Sequence, residues 1–415
     1  MAALEWHRIR EAKLHHWLIA AILTVIGLIL AHYHWMMRSR NAVYGVLQRI
    51  VSVSPFPNVV VVLIGDEEFY SRALEHRQPL KRDYVGVLVD RIAAGNPELI
   101  GIDVEMRSPD PARADALDWA TETETFRGIV MRVSQQCPIV VAKALTLDEH
   151  DQWIADADVS DLMTGIRRVT RGYLNVPNDL RQIPLNLVTS VGELPSFSQA
   201  VVEAKVRRPV VVPAGDRDLP YAVFRERRFF ETVQANRVRT AQLSELSEWF
   251  SHRIVLIGGD WGLHKRGDTE RIDIADTPVG AIAGVYVHAT YIESLLHGTM
   301  RAMPPWVKIC VEVMLAAAAS LLFVASRGYW RLITVVAGTL VVLLLTFFFW
   351  QNLGMFFEAF VPTVLLGVHV IGEQIIDWRD RANAAEAEEA HEKKGRGASH
   401  PAGGTYRVFH HRAGR

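Results

Sequence analysis

The chain has 415 residues, half of them hydrophobic, with 45 basic and 46 acidic side chains and a net charge of −1. Near-neutrality leaves no basic surface for nucleic acid, and two cysteines cannot build a disulfide framework. A positive mean hydropathy of +0.11 is high for a chain that is globular throughout, and points to apolar residues gathered into membrane spans.

Residues 1–16 form a short charged N-terminus with Arg8, Arg10 and Lys13. Residues 17–36 follow as an apolar segment with Tyr33 and Trp35 near its end and Arg38 just beyond, the composition of a transmembrane helix with interfacial anchors. A cleaved signal peptide fits less well, because no small-residue cleavage site follows the apolar run.

Residues 37–303 read as an α/β domain. Val59 to Ile64 is an unbroken aliphatic run that stops at Gly65-Asp66-Glu67-Glu68. A run apolar on both faces is the pattern of a strand buried inside a parallel sheet. Lys81 to Ala94 carries apolar residues at helical spacing and ends at Gly95-Asn96-Pro97; Leu99 to Val104 then repeats the strand pattern around Asp103. Strand, helix and strand make a βαβ unit. Asp115 to Gln135 predicts another helix and Pro138 to Ala142 another buried strand. Residues 146–250 are less regular and predict a lobe with antiparallel pieces, closed by a short helix over 243–252. Arg253 to Asp260 returns to the signature, an aliphatic run ending in Gly258-Gly259-Asp260. The fold class expected is a mainly parallel α/β domain with one transmembrane helix before it and three after it.

Those three spans fall within residues 304–376, at Ile309–Ala325, Leu332–Trp350 and Leu353–Ile376, with Pro362 expected to kink the last. Arg327 and Arg331 lie in one connecting loop and Gln351-Asn352 in the other. The positive-inside rule then places both termini in the cytoplasm and the α/β domain outside. Residues 377–415 are a charged tail that cannot bury a core, and no cytoplasmic catalytic domain is expected.

The ordered set VVVVLIGDEEF, LIGIDVEM, RGYLNVPNDLRQIPL, PSFSQAVVEA, HRIVLIGGD, DTPVG and GVYVHATYIESLLHG resembles the second family of CHASE domains, extracytoplasmic sensory modules of cyclases and histidine kinases. The resemblance covers roughly residues 17–376 and includes the three helices that typically follow such a domain. It implies a receptor, with homodimerisation expected by analogy. Because the family's usual output domains have no counterpart here, it also implies a separate effector protein that reads the signal.

Acids that end parallel strands lie along the sheet edge where open α/β folds bind ligands. Asp66, Glu67 and Asp103 could there hold a polar ligand or a divalent cation; the structural alternative is that they cap loops and helices. Gly258, Gly259 and Asp260 follow the third strand. Asp268, Asp273, Asp276 and Thr277 lie in the loop HKRGDTERIDIADTPVG, and His288 opens a predicted helix through Leu296. The last could join Asp66 and Asp103, although a histidine bonded to backbone is the simpler reading. Gly65-Asp66-Glu67-Glu68-Phe69 mimics the diguanylate cyclase signature but lacks its second glycine, and His369 with Glu373 mimics a proton relay. No cofactor beyond a divalent cation at these carboxylates is expected, and no catalytic motif is present at useful specificity. A scaffold that binds another envelope protein, and less favourably a divalent-metal hydrolase, are the competing functions.

Overall fold

The computed structural model describes residues 58–105, 107, 116–149, most of 152–210, 219–265, 268–271, 273–297, 301–325, 330–353, 355–357 and 381–390, with isolated positions between 22 and 48 and between 367 and 379. The chain divides into two units, one of residues 34–310 and 342–360, the other of residues 1–33, 311–341 and 361–415.

The first unit is built on a six-stranded sheet. Its strands are β1 (Val59–Gly65), β2 (Leu99–Ile102), β3 (Ile139–Lys143), β6 (Val169–Tyr173), β9 (Glu231–Gln234) and β10 (Ile254–Asp260), in the spatial order β6-β3-β2-β10-β1-β9. Every pairing is parallel. Two short antiparallel pairs, β4 (Thr146–Leu147) with β5 (Trp153–Ile154) and β7 (Leu187–Thr189) with β8 (Gly192–Leu194), lie outside it. The fold is therefore mixed α/β around a parallel sheet.

Alternation along the strands divides the core in two. Val60, Val62 and Ile64 of β1 join Ile100, Ile102, Val255 and Ile257 on one face. Against that face pack α2 (Arg82–Ala94), α3 (Ala116–Val133), α5 (Ala235–Thr240) and α6 (Leu243–Phe250), which follow the four-residue α1 (Asp66–Phe69) in part or in sequence. Val59, Val61 and Leu63 join Ile254 and Leu256 on the other face, beneath α4 (Phe197–Val206) and α7 (Gly284–His297). Helices on both sides explain why β1 has no polar alternation: each of its first six residues meets a hydrophobic layer.

The region 146–250 contains the expected antiparallel pieces, the β4–β5 and β7–β8 pairs, but it is not a separate lobe. Two of its segments, β6 and β9, form the outer strands of the parallel sheet, and α5 and α6 complete one helical layer. Edge strands need no continuous apolar run, so ETVQ in β9 carries little strand signal.

Glu293, fully buried on α7, accepts the backbone amides of Asn58 and Val59 at 2.8 and 2.7 Å. Its other oxygen faces Asn58 Nδ2 at 3.0 Å and His297 Nε2 at 3.1 Å. The beginning of β1 is thereby tied to the end of α7. From there the chain leads to α8 (Pro305–Ala325) and α9 (Trp330–Leu353), helices of 21 and 24 residues. Counting only positions whose side chains are described, no helix is long and apolar enough to cross a membrane. The expected spans at 17–36 and 353–376 fall almost wholly outside the described residues, as do His369 and Glu373.

The close fit of α7 on the sheet gives the first prediction. A Cβ on Gly258 would stand 2.5 Å from Val285 Cβ, so Gly258→Ala should destabilise the domain by about 1–3 kcal/mol through overpacking, read as a lowered denaturation midpoint.

Candidate functional site

Strand β10 lies between β1 and β2, which brings the three Gly/Asp strand ends side by side. Register sets their depth. Gly65 is level with Asp260, so Asp66 stands one residue beyond it. Ile102 is level with Ile257, and the Asp103 amide donates to the Ile257 carbonyl at 2.8 Å. Asp103 therefore sits about two residues, roughly 6–7 Å, below Asp260. The three acids share an edge at different heights, and each meets a different environment.

The segment after β10 folds over this edge as two hairpins, β11 (Gly262–Lys265) with β12 (Asp268–Arg271) and β13 (Ile274–Thr277) with β14 (Gly280–Ala283). Trp261 stacks on Phe69 of α1 with ring centres 4.9 Å apart. The Tyr70 hydroxyl donates to the Gly262 carbonyl at 2.7 Å, and the Gly262 amide donates to Asp66 Oδ1 at the same distance.

Asp260 is buried and held from both sides, accepting Arg227 Nη1 at 3.0 Å and Arg271 Nη1 at 2.6 Å. Arg271 also reaches Asp66 Oδ2 at 3.5 Å, and Arg227 lies over the Tyr286 ring at 5.2 Å. Arg271 thus clips the first hairpin to the ends of β1 and β10. Both arginines are half exposed, so much of each guanidinium remains hydrated.

Asp103 has a different setting. It is buried, and its Oδ2 has no hydrogen-bond partner. Burial chiefly, and then the nearby Asp273 carboxylate, push its carboxyl well above the usual range. Asp273 lies in the turn between the hairpins with φ of +60°. As a residue it is exposed, yet its carboxyl packs on Gly284 at the start of α7, in the space a Cβ there would occupy. That enclosure raises it to about 6, against a backbone hydrogen bond from Gly284 that works the other way.

The remaining predicted residues disperse. Glu67 is exposed, and Asp276 is exposed on β13. Thr277 donates to the Gly280 carbonyl at 2.6 Å and so closes its own hairpin. Gly258 admits Val285, and Gly259 admits the Trp261 ring; close protein packing accounts for both glycines. His288 does not open a helix but lies one turn inside α7, buried beside Phe197 and facing Ser198 Oγ at 3.2 Å. Burial lowers its pKa to about 4, opposed by its hydrogen bond to the Leu174 backbone. It shares none of these contacts with Asp66 or Asp103. Asp268 is on β12, its side chain outside the described positions. Among the described residues no three His, Cys, Asp or Glu side chains gather as a metal site requires.

Sequence reasoning missed Arg227, Arg271 and Tyr286. Arg271 stood in the charged loop already singled out, but nothing local distinguishes a guanidinium aimed at a buried carboxylate from a solvated one.

A family model described as the CHASE2 domain matches residues 19–326. The chain belongs to this family of extracellular sensory domains. No curated protein and no solved structure matched the chain.

Two predictions follow from these environments. Removing Asp260 leaves two half-exposed guanidiniums, whereas removing both arginines leaves a buried charge without a partner. Asp260→Asn should therefore cost about 1 kcal/mol, and the Arg227→Ala/Arg271→Ala pair about 3–5 kcal/mol, compared by chemical denaturation. Because His288 has a depressed pKa in the folded state, the unfolded chain binds the extra proton between pH 6.5 and about 4, and acid erodes stability there. His288→Gln should flatten that part of the melting-temperature profile.

Proposed function

We propose that this protein is a membrane receptor of the sensory class. Its α/β domain lies outside the cell membrane, takes a polar ligand at the carboxyl edge of the sheet, and signals through its apolar helices to a separate effector protein. One observation carries the reading: the edge at β1, β10 and β2 is covered by a clipped two-hairpin arm, not by a helix or a solid apolar layer. Loops mounted on a rigid parallel sheet are the usual place for recognition in such folds.

The membrane part of the proposal rests on length and sequence. At 1.5 Å per residue α8 and α9 would rise about 32 and 36 Å, against a hydrocarbon core of about 30 Å. Both are apolar over most of their sequence. Helix α7 offers a path for the signal. Its first turn meets the arm at Asp273, and its last turn holds the start of β1 through Glu293. A shift of the arm would reach residues 58–59 and 297–305, which adjoin the segments read as spans. Homodimerisation would let such a shift alter a two-fold interface. No observation favours the divalent-metal hydrolase.

The test is a thermal-shift screen of the full-length protein in detergent against divalent cations, metabolites and envelope fragments. A ligand at 100 times its dissociation constant adds about 2.7 kcal/mol, which raises the melting temperature by several degrees. The expected result is a stabilising ligand whose effect falls at least tenfold in Arg271→Ala. Silence from a folded protein, joined to capture of a defined envelope protein by its outer surface, would replace the receptor with a scaffold.

A further inference from the structure

The segment leading into α2 carries three cations in six residues, Arg77-Gln78-Pro79-Leu80-Lys81-Arg82. Lys81 pairs with Glu75 near the surface. The two arginines lie where the first turns of α2 and α3 meet, beyond the carboxyl ends of β1 and β2. Arg77 grips Glu122 of α3 with both ends of its fork, Nη1 to Oε1 at 2.8 Å and Nη2 to Oε2 at 3.0 Å. Arg82 is 3 % exposed, yet its guanidinium meets neutral oxygens. Nη1 donates to Thr123 Oγ1 and Nη2 to the Arg107 carbonyl, both at 2.7 Å. Buried Trp119 lies against both arginines, whose guanidinium carbons stand 4.2 Å (Arg77) and 4.7 Å (Arg82) from its ring centre.

We propose that Arg77, Arg82 and Trp119 bind an oxyanion, the carboxylate or phosphate group of a small ligand, at the helix starts beyond β1 and β2. The inference deepens the receptor reading by giving the polar ligand a negative charge, and rests on that reading only for calling the ligand a signal.

Charge points there first. Two guanidiniums face one carboxylate, Glu122, and Arg82 has no ion-pair partner among the described residues. A buried charge is normally paired, because taking it out of water is costly. Burial draws the Arg82 guanidinium down to about 10, with the Glu122 carboxylate acting the other way. Asp158, which also acts on Arg82, is committed to Lys143 at 3.5 Å and to the Ser160 amide at 2.8 Å.

The donors are a separate observation. Arg77 Nε, Arg82 Nε and Trp119 Nε1 are buried and meet no acceptor, whereas buried N–H groups in folded proteins almost always find one. All three belong to side chains gathered at a single indole. Their contacts to Glu122, Thr123 and the Arg107 carbonyl hold the two guanidiniums in place without using these protons. The starts of α2 and α3 add partial positive charge of the same sign. A water molecule would satisfy donors but leave the charge unmatched. An oxyanion supplies both acceptors and charge, and suits the planar guanidinium.

The experiment titrates the full-length protein in detergent with sodium phosphate, sodium sulfate and sodium succinate at neutral pH and reads the melting temperature. Ionic strength is held constant with sodium chloride, which removes the general salt effect. At least one of the three anions should raise the melting temperature saturably in the millimolar range. A response to phosphate or sulfate assigns a phosphate-type group, and a response to succinate alone assigns a carboxylate. Trp119→Phe keeps a ring against both guanidiniums and removes the Nε1 proton; Arg77→Lys keeps a cation for Glu122 and removes the Nε proton. Each should weaken the anion's apparent affinity about tenfold, as expected for one lost charge-assisted hydrogen bond. Arg132→Gln, at an exposed position further along α3, should leave it unchanged. Should Trp119→Phe fail to fold, Arg77→Lys decides. No saturable response to any of the three anions would overturn the site, as would an undiminished response in Arg77→Lys or an equal loss in Arg132→Gln. A silent metabolite screen would remove the receptor reading and leave these titrations readable.

Discussion

The insertion of β10 between β1 and β2 is the constraint on which the rest of the structure depends. All three strands carry aliphatic runs covered by helices on both faces, so none could serve as an exposed edge without losing a large apolar area to water. Burying them together forces less apolar segments, β6 and β9, to the outside. It also aligns three strand ends that each close in glycine and aspartate. A carboxylate-rich edge follows from the hydrophobic burial of the strands beneath it.

What happens at that edge depends on which charges find partners. Asp260 meets two guanidiniums from separate elements, and their exposed halves keep the cluster partly hydrated. Such a pairing anchors the arm without the full desolvation cost of a sealed ion pair. Asp103, deeper by two residues, is buried with one oxygen that meets no donor, and burial chiefly, then the charge of Asp273, holds its carboxyl above the usual range. A short difference in strand register therefore separates a clamped carboxylate from a buried one with an oxygen that meets no donor. The arm is held through Arg271 on Asp260 and through the Gly262 amide on Asp66.

Helix α7 joins this edge to the opposite end of the sheet. Glycines at 258 and 284 let it lie close to β10 and to the Asp273 carboxyl, and Glu293 fixes its far end to the beginning of β1. His288, within the same helix, packs neutral against Phe197 and Ser198 and contributes to the fit between α4 and α7. The covered edge and this connection belong to the domain that the sensory family model matches.

The sequence by itself determined the features that depend on neighbours along the chain. Unbroken aliphatic runs declared β1, β2, β3 and β10 as strands buried on both faces, and helical spacing with a Gly-Asn-Pro stop declared α2. The order of family segments was legible for the same reason, because the motifs are local. Tertiary structure alone decided that β9 and β6 flank the sheet, since short edge strands need no apolar pattern. It also decided the heights of Asp66, Asp103 and Asp260, the partnership of Asp260 with Arg227 and Arg271, and the burial of Asp103. Those depend on strand order and register between segments more than a hundred residues apart, where the energy comes from burial and charge pairing that no local pattern records.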